Sequence, residues 1–225
     1  MDVLKYDIIL TEDGSHSVQI RNTEISFHST KGAIQESAHI FIDAGLRYFK
    51  NINPGIKNLK IFEVGFGTGL NALLTAIEAP KLKVNITYQS IDKFPLTDDF
   101  FFKLNYADLL GEKELYKIIT LTPWNQLVYI SPFFKLNKIK AGIEEYTLNE
   151  NFDLIYFDAF APNDQPELWT EEIFSKMYGA LNAGGVLVTY STKSIIQKAM
   201  QATGFNIEKL PGPQGKREIL RAKKI

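Results

Sequence analysis

The sequence predicts an α/β fold: a mostly parallel sheet with a C-terminal antiparallel hairpin, plus a small N-terminal β/α extension. From residue 59 onward, short apolar runs typical of strands alternate with segments of helical periodicity, which indicates a parallel sheet covered by helices on both faces. Three glycines at alternate positions separate the first of these strands from its helix. Two β-type runs follow the last helix and flank a turn rich in proline and glycine.

We divide the chain into an N-terminal extension, residues 1–50, and a core domain, residues 51–225. The extension contains two β-type runs and a segment with helical spacing of apolar residues, at 6–11, 17–20 and 32–49. We expect this extension to pack over the ligand face of the core. A connector that contains Pro54 and Gly55 joins the two parts.

In the core, strands and helices are predicted in alternation. The strands are predicted at 59–64, 84–91, 127–130, 135–141, 152–157, 185–190, 205–210 and 217–222. The helices are predicted at 70–79, from 97 to about 111, at 169–181 and at 194–202. Pro80 is expected to end the first of these helices, and the three consecutive phenylalanines at 100–102 are expected to lie in the core.

Length and composition favour a soluble globular protein. The 225 residues fit one domain, and 45% are hydrophobic and 23% charged. There is no run of about eighteen apolar residues, and residues 1–7 lack a basic segment followed by an apolar one, so we predict a cytoplasmic location without membrane contact. The absence of cysteine excludes disulfides, zinc–thiolate sites and cysteine nucleophiles.

Other common chemistries find little support in the sequence. His16, His28 and His39 have no partners at metal-ligand spacing, so we predict structural roles for them and no bound metal. No G-x-S-x-G motif surrounds Ser191 or Thr192, which argues against a hydrolase.

The net charge of −1 hides an uneven distribution. Residues 193–225 contain eight basic and two acidic side chains, a net charge of +6. This basic segment would attract phosphate groups, although a solvated lysine-rich surface explains the composition equally well.

Gly65, Gly67 and Gly69 form a tight turn between a strand and a helix, a position at which the backbone can approach a ligand closely. Dinucleotide-binding turns need a glycine where this chain has Leu70, because there they hold a pyrophosphate. Glu63 precedes the first glycine by two positions, and its carboxylate would repel a pyrophosphate but attract a cation. The alternative is an ordinary βα connection that binds nothing.

Three acidic residues stand at or just after predicted strand ends, where parallel sheets bind ligands. They are Glu63, Asp92 and Asp158. Asp92 lies 23 residues after Gly69, close to the roughly 20-residue interval typical of a ribose-binding acid; the alternative is an aspartate that caps a helix or faces solvent. Asp158 follows a strongly apolar strand, which suits it to accept a proton or hold a substrate amine, unless it only pairs with a nearby backbone donor.

These motifs together resemble a known family. The E-x-G-x-G-x-G turn is similar to the first motif of class I S-adenosyl-L-methionine (AdoMet) methyltransferases, which are Rossmann-like. More specifically, the chain resembles the methyltransferase part of the MnmC/MnmD family over most of its length. The matching segments are 63–71, 92–96, 157–162, 166–169, 184–185, 204–205, 215–218 and the N-terminal stretch 32–41, which contains Glu36.

The resemblance implies a stand-alone methyltransferase without the flavin-dependent oxidase half of the bifunctional relatives. Its substrate would be 5-aminomethyl-2-thiouridine at the wobble position of a tRNA anticodon loop, methylated on the aminomethyl nitrogen by AdoMet. The unprotonated amine would attack the sulfonium methyl while Asp158, the implied catalytic residue, accepts the amine proton. The implied cofactor-binding residues are Glu63, Gly65, Phe66, Gly67, Thr68, Gly69, Asn71, Asp92, Lys93, Phe94 and Asp158.

For the tRNA we expect contacts from Phe160 and Trp169 with the base, and from Lys193, Lys216 and Arg217 with the backbone. The alternative for Trp169 is a place in the core. The chain departs from the usual pattern at Gly142, where many methyltransferases place an acid that meets adenine, so Glu144 or a backbone group must serve. A class I methyltransferase for a small molecule or a protein is the alternative. A nicotinamide-binding module is disfavoured by Leu70 and Glu63.

Overall fold

The computed structural model describes residues 5–225. Residues 1–4 belong to the predicted extension and to the stretch 1–7, which lacks a secretory signal pattern, and they lie outside the described residues. Within the extension, β1 (Tyr6–Leu10) and β2 (His16–Ile20) pair as an antiparallel hairpin. Helix α1 follows in three consecutive parts: α-helical Ala33–Ser37, π-helical Ala38–Arg47 and α-helical Tyr48–Ile52.

A single central sheet contains all eight strands predicted for the core. They are β3 (Asn58–Val64), β4 (Asn85–Asp92), β5 (Leu127–Ser131), β6 (Phe134–Lys140), β7 (Phe152–Phe157), β8 (Leu181–Thr189), β9 (Asn206–Pro211) and β10 (Glu218–Lys223). Their order in the sheet is β5-β6-β4-β3-β7-β8-β10-β9. The five strands from β6 to β8 are parallel, whereas β10 runs antiparallel to β8 and to β9. The predicted mostly parallel sheet with its C-terminal antiparallel hairpin is thus confirmed.

Helices cover both faces of this sheet. They are α2 (Leu70–Leu82), α3 (Asp98–Phe101), α4 (Tyr106–Leu110), α5 (Lys113–Leu121), α6 (Glu171–Ala180) and α7 (Ser194–Ala202), with a 3₁₀ turn at Pro166–Leu168. Alternate residues of β7 feed two separate hydrophobic cores: Leu154 and Tyr156 join one, and Ile155 and Phe157 join the other. Both faces of the strand are buried, as expected for a covered parallel strand.

The prediction of one helix from residue 97 to about 111 is wrong in one respect, because the structure has two short helices there, α3 and α4. Asn105 stands between them; its Oδ1 accepts a hydrogen bond from His16 N at 2.8 Å and its Nδ2 donates to Gly14 O at 2.8 Å. The break therefore docks the N-terminal hairpin onto the core. Phe102 is 59% exposed, so the prediction of three core phenylalanines fails at that position.

Two other helix ends differ from the sequence prediction. Helix α2 continues through Pro80 to Leu82 and ends where Lys83 adopts φ +54°. Proline is tolerated there because it stands in the exposed last turn, where only one backbone hydrogen bond is lost. Helix α6 begins after Thr170, whose Oγ1 accepts a hydrogen bond from Ile173 N, so Trp169 lies in the preceding turn rather than in the helix.

The extension contacts the core at several elements of the sheet and at helix α2. Helix α1 packs against α2, β7 and β8, and His39 Nε2 lies 2.8 Å from Pro211 O at the end of β9. Among residues 5–225, none of the helices has the length and apolarity needed to cross a membrane.

Candidate active site

A cavity of about 470 Å³ opens at the carboxyl ends of β3, β4 and β7, the edge at which ligands bind in open parallel sheets. The core lines it with the glycine turn, with the residues after β4, β6, β7 and β8, and with the turn between β9 and β10. The extension closes it from the other side. The core residues around it include Gly65, Phe66, Gly67, Thr68, Asn71, Asp92, Lys93, Phe94, Gly142, Glu144, Asp158 and Phe160.

The glycine turn is shaped by two close approaches that exclude side chains. Gly65 has φ +94°, and a Cβ atom there would lie 2.6 Å from the carbonyl oxygen of Asp158. Gly67 has φ +52°, and its Cβ would lie 3.3 Å from the ring of Phe27 in the extension. Glycine therefore lets the ends of β3 and β7 meet and lets the extension lie directly over the turn.

Asp92 is tied to the glycine turn by backbone groups. Its Oδ2 accepts a hydrogen bond from Gly67 N and its Oδ1 accepts one from Phe94 N, both at 2.9 Å. Burial raises the pKa of Asp92, and these backbone donors oppose that rise. Because each carboxylate oxygen accepts more than one hydrogen bond, both retain capacity toward the cavity.

Glu63 lies beneath the cavity rather than in its wall. Its side chain is fully buried, with Oε2 accepting from Ser90 Oγ at 2.7 Å and Oε1 accepting from Asn71 Nδ2 at 3.0 Å. Burial raises the pKa of Glu63 to about 8, so the side chain is mostly protonated at neutral pH. Asn71 connects this buried acid to the cavity.

Asp158 stands where β7 ends, beside the same asparagine. Its Oδ2 accepts a hydrogen bond from Asn71 Nδ2 at 2.8 Å. Burial, followed by the negative charge of Glu36, raises the pKa of Asp158 to about 7. An aspartate of this kind exchanges a proton readily near neutral pH.

The extension brings Phe27, His28 and Glu36 to the cavity. Phe27 packs edge-to-face on Phe160, with ring centroids 5.0 Å apart. Glu36 is 8% exposed and forms an ion pair with Lys216. His28 is also buried, and burial lowers its pKa to about 4, so it is neutral. No local motif marks these positions, although Glu36 stands in the stretch that resembles the MnmC/MnmD family.

The residues predicted to bind tRNA are distributed unevenly. Phe160 and Lys216 line the cavity. Trp169 is 5% exposed in the core, and its Nε1 donates to Phe160 O at 2.8 Å. Lys193 and Arg217 are exposed, and Lys193 Nζ donates to Asn163 Oδ1 at 2.6 Å.

The cavity suits a ligand that carries both hydroxyl groups and a positive charge. Thr68 Oγ1 and Asn71 Oδ1 are buried and have no hydrogen-bond partner within residues 5–225, so each can form a hydrogen bond with a ligand or a water in the cavity. Asp92 offers acceptors for hydroxyl groups, and Asp158 offers a carboxylate. In the described part of the chain, no three acidic or histidine side chains converge as a metal site would require.

Comparison with known proteins agrees with this geometry. A family model described as S-adenosyl-L-methionine-dependent methyltransferase matches residues 133–225, which confirms the cofactor and the enzyme class predicted from the sequence. The bifunctional tRNA 5-methylaminomethyl-2-thiouridine biosynthesis protein MnmC of Actinobacillus pleuropneumoniae serotype 5b is 28% identical over 241 residues, covering 93% of this chain and 35% of the relative. MnmC of Campylobacter hominis is 30% identical over 202 residues, covering 87% of this chain and 29% of the relative.

The resemblance to the MnmC family is confirmed. The chain spans about a third of the length of these MnmC relatives. Among solved structures, MnmC2 from Aquifex aeolicus superposes with a TM-score of 0.80 at 24% identity and covers 98% of this chain and 70% of that one. SAM-bound CalS10, an amino pentose methyltransferase from Micromonospora echinaspora, gives 0.53 at 13% identity and covers 86% and 92%. These superpositions confirm the Rossmann-like fold of class I AdoMet methyltransferases.

Proposed function

We propose that this MnmC-like chain methylates the 5-aminomethyl group of 5-aminomethyl-2-thiouridine at the tRNA wobble position. One observation carries the proposal: Asp158, an acid with a pKa of about 7, lies in the cavity wall between the glycine turn and the extension. The relatives named for tRNA 5-methylaminomethyl-2-thiouridine biosynthesis support the choice of substrate.

The residues of the glycine turn and of the segment after β4 would hold AdoMet. Asp92 would accept hydrogen bonds from the ribose hydroxyls, and Asn71 Oδ1 would accept one from the amino group of the methionine part. When bound, AdoMet supplies an electrophilic methyl group on a positively charged sulfur. On the adenine side, Gly142 and Glu144 line the cavity, and Glu144 Oε1 accepts from Lys93 Nζ at 2.9 Å, which orients both side chains.

Asp158 would prepare the substrate amine. An alkylamine resembles lysine, with a usual pKa of about 10.4, so it arrives mostly as an ammonium ion that cannot act as a nucleophile. The carboxylate of Asp158 would accept one proton and keep the nitrogen lone pair oriented. The raised pKa of Asp158 narrows the difference in pKa between donor and acceptor, which makes this transfer easier.

Positioning should contribute more than proton transfer. Alignment of two reactants can remove about 7–11 kcal/mol of a barrier, whereas a general base typically adds about 10²–10⁴-fold in rate. The packed walls around the cavity supply the alignment. They include Phe27 from the extension.

The substrate base would enter from a single-stranded loop, whose bases can turn outward and stack on aromatic side chains. Phe160 faces the cavity and is held by Trp169, which donates to its carbonyl oxygen. Phe160 would therefore stack on the base and Trp169 would position it. Lys193 and Arg217, both exposed, would meet backbone phosphates; a role for Lys216 there remains a prediction, since its ammonium group lies beside Glu36.

Mass spectrometry of nucleosides tests the proposal directly. The protein is incubated with AdoMet and with tRNA from cells that leave the aminomethyl nucleoside unmethylated. We expect 5-aminomethyl-2-thiouridine to gain one methyl group with wild-type protein and to stay unchanged with Asp158→Asn. If the tRNA gains no methyl group although the protein binds AdoMet, the chain is a methyltransferase for a small molecule or a protein instead.

A further inference from the structure

Lys216 places a positive charge inside the cavity that the chemistry above does not use. It lies in the turn between β9 and β10, and its Nζ is 2.5 Å from Glu36 Oε1. The same Nζ stands 4.0 Å from the ring centroid of Tyr190, a distance at which an ammonium ion is attracted to the face of an aromatic ring. The carboxylate of Glu36 and the ring face of Tyr190 thus bind the alkylammonium group of Lys216.

We propose that Lys216 occupies, in the free protein, the position in which Glu36 and Tyr190 bind the protonated amine of the substrate. The inference rests on the proposed function and deepens it, because it names the residues that select an amine. Lys216 would leave when the substrate enters, so that one ammonium group replaces another.

Backbone groups of the cavity wall hold Glu36 and Tyr190 in place. Glu36 Oε2 accepts a hydrogen bond from Ser29 N at 2.7 Å, which leaves Oε1 directed at the ammonium group. Tyr190 OH donates to Ala159 O at 2.8 Å, which fixes the ring. Groups fixed in this way keep their geometry when one cation replaces another, as a preorganised binding site requires.

Lys216, in contrast, can move without rearranging the fold. Its side chain is 28% exposed, and lysine carries its charge on a flexible four-carbon stem. The turn that bears it is exposed at Gln214 and Gly215. Rotation about the side-chain bonds is therefore enough to carry the ammonium group into solvent.

An amine bound there would lie beside the catalytic acid. Asp158 responds to both charges: Glu36 raises its pKa, and Lys216 lowers it. Asp158 and Tyr190 directly follow the paired parallel strands β7 and β8, and Tyr190 OH donates to the carbonyl oxygen of Ala159, the residue after Asp158. The site therefore brings the ammonium group next to the group that takes its proton.

The exchange explains how the site would choose its substrate. A substrate with a protonated amine restores the charge balance of Glu36 after Lys216 leaves. A neutral analogue, such as a hydroxymethyl nucleoside, would leave a buried carboxylate without a counter-ion, which costs free energy. The cavity therefore favours cationic side groups over neutral ones of similar size.

The test measures binding and needs no turnover. The free nucleoside 5-aminomethyluridine is titrated by NMR into wild-type protein, Lys216→Met and Glu36→Gln, each saturated with S-adenosylhomocysteine. We expect Lys216→Met to bind the nucleoside about 10-fold more tightly, the gain expected if Lys216 holds the site about nine-tenths of the time. We expect Glu36→Gln to bind it about 10-fold more weakly, because a charged partner is lost. Glu36→Gln should not weaken the binding of 5-hydroxymethyluridine, because a neutral group forms no ion pair that the change removes.

Matched variants separate this exchange from a purely structural ion pair. Lys209→Met removes another paired lysine from the same hairpin, where it contacts Glu218, and should change nothing. If Glu36→Gln fails to fold, Tyr190→Leu and Tyr190→Phe carry the test, since only the first removes the aromatic face and should weaken binding.

The proposal is supported if Lys216→Met binds 5-aminomethyluridine more tightly than wild type and Glu36→Gln binds it more weakly. Weaker binding by both variants, or no binding of the amine nucleoside by Lys216→Met at millimolar concentration, overturns it. Amine binding without any methyl transfer to tRNA would refute the proposed function and leave this inference standing. Methyl transfer to tRNA with equal amine affinity of Lys216→Met and wild type would refute the inference alone.

Discussion

The two sides of the cavity are built in different ways. On the glycine-turn side, formed by residues 65–69 and 92–94, backbone N–H groups hold Asp92, and glycines let the backbone pass close to Asp158 O and to the ring of Phe27. On the side that faces the extension, Glu36 of the extension meets Tyr190 and Lys216 of the core, so charged and aromatic side chains come from three distant parts of the chain. We propose that the first side binds AdoMet and that the second binds the substrate amine through its charge. Asp158 lines the cavity between them, where the proposed methyl transfer would occur.

Replacement of Asp158 tests this division most severely. Asp158→Asn keeps a side chain of the same size but cannot accept the amine proton, so we expect kcat to fall about 10²–10⁴-fold. The Kd for AdoMet should change only a few-fold. Single-turnover methylation of tRNA and calorimetry measure the two quantities.

The exposed Asp99→Asn on α3 is the matched control and should behave as wild type. A near wild-type rate for Asp158→Asn would show that Asp158 is not the proton acceptor between the two sides of the cavity.

Asp92→Asn should affect the glycine-turn side alone. The carboxylate accepts from two backbone N–H groups and would accept from two ribose hydroxyls, and hydrogen bonds to a charged group contribute about 1.5–3 kcal/mol. We expect the Kd for AdoMet to rise about 10–100-fold, with kcat nearly unchanged at saturating AdoMet. Loss of kcat with an unchanged Kd would contradict the assignment of Asp92 to cofactor binding.

The pH dependence of kcat/KM tests whether Asp158 accepts the amine proton. Asp158 has to be unprotonated to accept a proton, and its pKa is about 7. We therefore expect kcat/KM to rise about 10-fold per pH unit below pH 7 and to level off above it. Asp158→Asn should lose this dependence; a profile that is flat in the wild type would refute the assignment.

The protonation of Glu63, which precedes the glycine turn, should make the free energy of unfolding depend on pH. Its pKa is raised in the folded state, from an ordinary value of 4.5 to about 8, so the folded protein binds the proton more tightly than the unfolded chain does. The stabilisation is complete below pH 4.5 and is lost as pH rises through 8, by about 1.4 kcal/mol per unit within that window.

Glu63→Gln removes this titration. The free energy of unfolding of the ligand-free wild type should therefore fall relative to that of Glu63→Gln between pH 5 and 8, as urea denaturation would show. A constant difference across that range would mean that Glu63 is ionised in the folded protein.

The smallest expected effect concerns the basic surface outside the cavity. Removal of one phosphate contact should reduce the slope of log affinity against log salt by about 0.7 for single-stranded nucleic acid. We expect Lys193→Ala and Arg217→Ala each to flatten the slope for tRNA binding by an amount of this order. An unchanged slope in both variants would remove these residues from the tRNA surface.

The sequence predicts the two sides unequally well. The glycine turn, Asp92 and Asp158 stand at strand ends within short motifs, so local spacing is enough to find them. Tyr190 and Phe27 carry no local signal, because only the tertiary fold brings β8 and the extension to the cavity. The break between α3 and α4 escapes prediction for the same reason: Asn105 bonds to a hairpin about ninety residues earlier in the chain.

Calorimetric titration with AdoMet and with NAD tests the central claim most directly, namely that the carboxylate-flanked glycine turn binds a positively charged sulfonium nucleotide. The account predicts saturable binding of AdoMet, weakened in Asp92→Asn, and no binding of NAD. A wild-type protein that binds neither AdoMet nor S-adenosylhomocysteine, or that binds NAD in their place, would contradict it.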